Sequence, residues 1–117
     1  MAKVMQIYHN PRCSKSRETL ALLKKHHVEP EIILYLEQPP SLTQLCQLLK
    51  KLKLKAHDLL RTQETEYQTL GLGDAQCTDE QLLKAMIQYP KLMERPIVVC
   101  GEQAVLGRPP ENILKLL

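Results

Sequence analysis

The residues best suited to covalent chemistry lie near the start of the chain, in Tyr8-His9-Asn10-Pro11-Arg12-Cys13-Ser14-Lys15-Ser16-Arg17. Cys13 follows the breaker pair Asn10-Pro11 and precedes a helical pattern, which places its thiol at the first turn of a helix. Unpaired backbone N–H groups and the positive end of the helix dipole favour an anion there, either a thiolate or a bound oxyanion. Arg12, Lys15 and Arg17 add positive charge, and the Ser16 hydroxyl is a candidate donor to the sulfur. The Cys13 pKa is therefore expected below its free value of about 8.5, leaving a thiolate nucleophile at neutral pH. His9 is a candidate for tuning that thiolate or moving a proton, and equally for a strand-end residue with a satisfied hydrogen bond.

The other three cysteines, Cys46, Cys77 and Cys100, read as structural. Cys46 falls on the apolar stripe of a helix, Cys77 can staple the start of another, and Cys100 ends a strand. No C-x-x-C pair and no metal-ligand spacing of His and Cys occurs, so neither a disulfide framework nor a metal site is expected. If Cys13 had an internal disulfide partner, Cys100 would be the least excluded, since it lies only a few residues beyond Pro96.

The elements that must position Cys13 follow from the pattern on either side. Val4–Tyr8 reads as a strand, residues 14–27 as a helix with Leu20, Leu23 and His27 on one face, and Ile32–Leu36 as a continuous apolar strand covered on both faces. That is a βαβ unit. A helical block follows. Leu42, Leu45, Cys46, Leu49 and Leu52 mark one helix, short turns cover residues 56–61 and 65–70, and a Thr78/Gln81 capping box opens a longer helix that Pro90 ends. After Arg95-Pro96, Ile97–Cys100 and Ala104–Leu106 form a hairpin about Gly101-Glu102, and Pro109-Pro110 opens a final helix through Ile113, Leu114 and Leu117. The expected fold is α/β, a mixed sheet built as βαβ then ββα, in one domain of 117 residues with a helical insertion at about 41–94 between the second and third strands.

Lys and Arg number 16 against 13 Asp and Glu, and the dense basic run Lys50-Lys51-Leu52-Lys53-Leu54-Lys55 reads as a solvated helix face. With no Phe or Trp for base stacking, nucleic-acid binding is not expected. Nothing resembles a membrane span or an export signal, so the expected location is cytoplasmic.

Several segments together resemble the glutaredoxin-coupled arsenate reductase family of the thioredoxin-like fold. They are Ile7-Tyr8-His9-Asn10-Pro11-x-Cys13 with Ser16-Arg17, Tyr35-Leu36-Glu37-x-Pro39-Pro40, Leu59-Leu60-Arg61, Arg95-Pro96-Ile97-Val98-Val99 and Gly107-Arg108-Pro109. The resemblance implies that Cys13 attacks arsenate, that Arg61, Arg95 and Arg108 hold the oxyanion, and that Pro96 is a cis proline beside the site. His9, Asn10, Ser16 and Arg17 would support the cysteine. It also implies glutathione as co-substrate, glutaredoxin as partner and no bound cofactor. Arg12 and Ser14-Lys15 depart from the small residue and Gly-Thr of well-studied members, which marks a sibling branch. Two other activities are the alternatives: a redox-sensing transcription adapter of the same fold, which commonly senses through C-x-x-C where this chain has Cys13-Ser14-Lys15-Ser16, and a glutathione-linked monothiol reductase acting on another oxyanion or a mixed disulfide.

Overall fold

A computed structural model describes residues 4–117. The chain forms two compact units, one from the segment up to Gln38 together with Arg95–Leu117, the other from Pro39–Glu94.

The first unit carries a four-stranded sheet, with β1 (Met5–Tyr8), β2 (Glu31–Ile33), β3 (Ile97–Cys100) and β4 (Gln103–Leu106) in the order β2-β1-β3-β4. β1 runs parallel to β2 and antiparallel to β3, and β3 and β4 form the expected hairpin. Its two-residue loop begins at Gly101 with φ +62°, the left-handed position that favours glycine. The strands alternate as period-2 sterics require. Met5 and Ile7 of β1 and Val98 and Cys100 of β3 share one buried face with Leu23 of α1 (Ser14–Lys25) and with Ile113 and Leu116. Each such large apolar side chain contributes about 1.5–3 kcal/mol by leaving water.

Several local expectations change. β2 stops at Ile33, and Ile32 is 46% exposed, because this strand is the sheet edge rather than an interior strand covered on both faces. α1 ends at Lys25. His26 and His27 form a Schellman cap instead of a further turn, with His27 left-handed at φ 64° and its N–H on the Lys24 carbonyl, while the Val28 N–H reaches the Leu23 carbonyl. The buried stripe of α1 is Ser16, Thr19 and Leu23, and His27 is exposed. The last helix, Pro110–Leu116, is 3₁₀: Pro110, Ile113 and Leu116 are buried at a period of three, leaving Leu114 and Leu117 exposed.

The second unit is helical, with α2 (Leu42–Leu52), α3 (Thr65–Thr69) and α4 (Asp79–Gln88), a 3₁₀ turn at Ala56–Leu59 between α2 and α3, and another at Pro90–Leu92 after α4. α4 starts at the expected capping box, the Thr78 hydroxyl accepting from the Gln81 N–H and the Gln81 amide oxygen from the Thr78 N–H. α2 opens on a second such box, Ser41 with Gln44. Leu45 and Leu48 of α2 are buried, but Cys46 is exposed, so the core stripe of that helix runs beside the cysteine and not through it.

Candidate active site

The loop after β1 is held by hydrogen bonds from its backbone and from the Asn10, Ser16 and His9 side chains. Asn10, Pro11, Arg12 and Cys13 form a β-turn closed by the Cys13 N–H on the Asn10 carbonyl at 3.0 Å, with Asn and Pro in their favoured first and second positions. The Asn10 side-chain oxygen takes the Arg12 N–H at 3.0 Å. The Ser16 hydroxyl, fully buried in the first turn of α1, accepts the Asn10 N–H at 3.0 Å and bonds His9 Nδ1 at 2.6 Å. Ser16 thus ties the end of β1 to the start of α1, with Cys13 held between them as the N-cap residue.

The Cys13 thiol is held below its usual pKa. Burial alone would raise it, but the Ser16 N–H, the Arg95 guanidinium and the Lys15 N–H all donate toward the sulfur, and the Arg95 charge adds to them. The depressed thiol pKa rests on the helix-start backbone N–H groups that the sequence pointed to and on Arg95, and not on the side chains next to Cys13 in the chain. The Ser16 hydroxyl is spent on His9 and Asn10, and it is the Ser16 backbone that reaches the sulfur. Lys15 pairs with Glu18 at 3.5 Å and the Arg17 guanidinium donates to the Pro11 carbonyl at 3.0 Å, while Arg12 is exposed. None of these three side chains contributes to the shift.

His9 is buried, and its backbone N–H extends the β1–β2 ladder by bonding the Ile33 carbonyl at 2.9 Å. Its imidazole pKa is pushed down by burial and then by the charges of Arg17 and Lys24, so the ring is neutral at pH 7. A neutral Nδ1 that accepts the Ser16 proton leaves the other ring nitrogen protonated.

Arg95-Pro96 is a cis peptide, and so is Arg108-Pro109. Gly107 lies between Thr19 of α1 and Pro96, with its N–H on the Pro96 carbonyl at 2.9 Å and its carbonyl taking the Thr19 hydroxyl at 3.3 Å. A methyl group on Gly107 would lie 2.5 Å from Thr19 Oγ1 and 2.7 Å from Pro96 Cγ. The backbone leading into Arg108 is therefore pinned to the residue that follows Arg95. Thr19 had no part in the sequence reading, although its spacing of three from Ser16 and four from Leu23 puts it on their face.

Arg61 belongs to the helical unit. Its N–H bonds the Leu92 carbonyl at 2.7 Å, and its guanidinium faces Glu64 at 3.3 Å and Glu94 at 3.9 Å, both half-buried. The expectation that Cys100 is the least excluded internal partner for Cys13 is corrected. In the antiparallel register Tyr8 faces Ile97 while Met5 faces Cys100, so Cys100 sits at the end of the sheet away from the Cys13 loop. Three residues of strand, about 10 Å, separate those ends, beyond the roughly 4.4–6.8 Å between Cα atoms that a disulfide needs. All four cysteines are free thiols. Among the described residues no cluster of His, Cys, Asp or Glu could hold a metal ion, and no helix is long and apolar enough to cross a membrane.

A family model described as the ArsC family matches residues 8–116. The Escherichia coli K12 protein YfgD is 52% identical across 100% of this chain and 99% of its own. A Haemophilus influenzae arsenate reductase is 44% identical, covering 95% of this chain and 97% of its own. Among solved structures, an arsenate reductase from Vibrio cholerae superposes with a TM-score of 0.97 at 50% identity over the full length of both chains. The α/β architecture, with its mixed sheet and helical insertion, is the expected thioredoxin-like one.

Proposed function

Because the chain belongs to the ArsC family, we propose that it reduces arsenate to arsenite, with Cys13 as the nucleophile. The observation that carries this reading is the thiol's surroundings: two backbone N–H groups and the Arg95 guanidinium converge on the Cys13 sulfur and favour its charged form. Donors that stabilise a sulfur anion are equally suited to an arsenate oxygen beside it.

In this reading the Cys13 thiolate attacks arsenic and displaces one oxygen, which leaves as water after taking up protons. A glutathione thiolate then bonds to the Cys13 sulfur. The arsenic–sulfur bonding pair passes to arsenic, which departs as arsenite, and a Cys13–glutathione disulfide remains. Glutaredoxin returns Cys13 to the thiol by disulfide exchange. Arg95 and Arg108 are the oxyanion ligands on the sheet side, planar and permanently charged. Arg61 is proposed as the third from the family resemblance. Turnover in the cytoplasm, where glutathione keeps thiols reduced, fits four unpaired cysteines.

Steady-state reduction of arsenate, coupled through glutathione, glutaredoxin and NADPH consumption, tests the reading. Turnover that disappears in Cys13→Ser and falls in Arg95→Ala is expected. Full arsenate turnover in the Cys13→Ser variant would remove the nucleophile from the proposal. Rapid glutathione-dependent reduction of protein mixed disulfides with no arsenate turnover would assign the chain to the monothiol reductases instead.

A further inference from the structure

Beside the Cys13 loop lies a pocket of about 310 Å³, within the size range of small-molecule sites. Its wall comes from two loops of the sheet unit: Pro11 and Arg12 after β1, and Leu34, Leu36 and Glu37 after β2. Both loops are held from within. The Arg12 N–H is taken by the Asn10 side chain at 3.0 Å, and the Glu37 and Gln38 N–H groups close on the Leu34 carbonyl at 3.0 and 2.8 Å. Among the described residues neither the Arg12 guanidinium nor the Glu37 carboxylate has an ion-pair or hydrogen-bond partner. Leu36, in the same wall, is 43% exposed.

An unpartnered cation, an unpartnered anion and an exposed apolar side chain thus surround a cavity whose rim is the residue preceding the nucleophile. The complementary ligand is a short zwitterionic peptide, and the proposed reaction calls for one that carries a thiol. Its carboxylate would meet the forked donors of Arg12, its ammonium the carboxylate of Glu37, and its methylenes Leu36. We infer that this pocket binds the reducing thiol glutathione, with Arg12 and Glu37 recognising its oppositely charged ends. The inference deepens the proposed function, since it rests on glutathione being the co-substrate. It also separates the role of Arg12 from that of Arg95, which touches the sulfur.

A reaction that needs no arsenate tests it independently of arsenate turnover. The Cys13 thiolate attacks one sulfur of glutathione disulfide, the Cys13–glutathione disulfide forms as the original S–S bond breaks, and the second glutathione leaves as a thiolate with no net redox change. Rates are followed on the full chain by mass spectrometry of the Cys13 peptide, with uncharged 2-hydroxyethyl disulfide run in parallel. The measured quantity is the ratio of the two rates. For Arg12→Ala the ratio is expected to fall about three- to tenfold, the range of one charged contact partly screened by solvent. Glu37→Gln is the decisive variant. Glutathione disulfide is an anion, so a diffuse field would make loss of Glu37 speed its reaction, whereas recognition of its ammonium group makes that loss slow it by a similar factor. An unchanged or raised ratio in either variant overturns the inference, and so does an Arg12→Ala variant that slows both disulfides equally.

Discussion

Replacing Gly107 by alanine isolates the packing that holds the Arg95-Pro96 and Gly107-Arg108 loops together. The new methyl carbon would lie 2.7 Å from Pro96 Cγ, and 2.5 Å from Thr19 Oγ1. Carbon atoms prefer about 3.5–4.0 Å, so the shortfall is on the order of 1 Å. Neither neighbour yields easily. Pro96 is a ring, and Thr19 is fully buried with its hydroxyl committed to the Lys15 carbonyl at 2.8 Å as well as to Gly107. The strain of overpacking costs about 1–3 kcal/mol. Losing the hydrogen bond from Gly107 to Pro96 adds about 1 kcal/mol. The sum of about 2–4 kcal/mol corresponds to a Tm lower by about 8–16 °C in a chain of this size. Far-UV circular dichroism on heating reads the stability, and the arsenate KM reads the displaced Arg108. Thr19→Ala added to Gly107→Ala should recover part of the KM defect, because it removes the nearest obstacle. Gly71→Ala is the control for a different mechanism: it meets nothing within 4 Å but sits at φ +65°, so it should cost only about 1 kcal/mol of backbone strain. A Gly107→Ala protein with unchanged Tm and KM would refute the packing argument.

Three further outcomes follow from the site. In Arg95→Gln the Cys13 thiol loses a donor and a nearby cation, so the midpoint of its pH-dependent alkylation by iodoacetamide should move up, and an unmoved midpoint would mean that Arg95 does not act on the sulfur. For His9, the folded-state pKa lies below the ordinary value of 6.5, so the unfolded chain binds the proton more readily and the contribution to stability present above 6.5 is lost as pH falls toward the folded value. Urea midpoints measured above and below 6.5 should therefore converge in a His9→Gln variant relative to wild type; identical pH dependence in both would exclude His9 as the cause. The combined Cys46, Cys77 and Cys100→Ser variant should retain glutathione-dependent turnover, and a Cys13–Cys100 disulfide accumulating in wild type after a single arsenate turnover would contradict the register that separates them.

Local chemistry was legible in the sequence wherever one residue type is nearly obligatory. Asn10-Pro11 before Cys13 announced the turn and the helix start, Thr78 and Gln81 the capping box, Gly101 the hairpin, and the order of apolar runs the βαβ and ββα halves of the sheet. The helix-start thiol needed nothing more, because the field there comes from the backbone itself. What only the tertiary structure decided concerns direction and partnership, which composition and spacing leave open. A continuous apolar run such as Ile32–Leu36 suits an interior strand or a short edge strand followed by a buried turn residue, and strand order chose the edge with Tyr35 buried after it. Cys46 shares the period of its helix with Leu45 and Leu49, and only packing says which side of that stripe is covered. Basic neighbours of Cys13 in sequence turned out to point elsewhere, while Arg95, 82 positions away by number, reaches the sulfur through β3 pairing against β1. Side-chain charge acts through space, so its contribution at Cys13 is set by the antiparallel register of two strands and not by proximity along the chain.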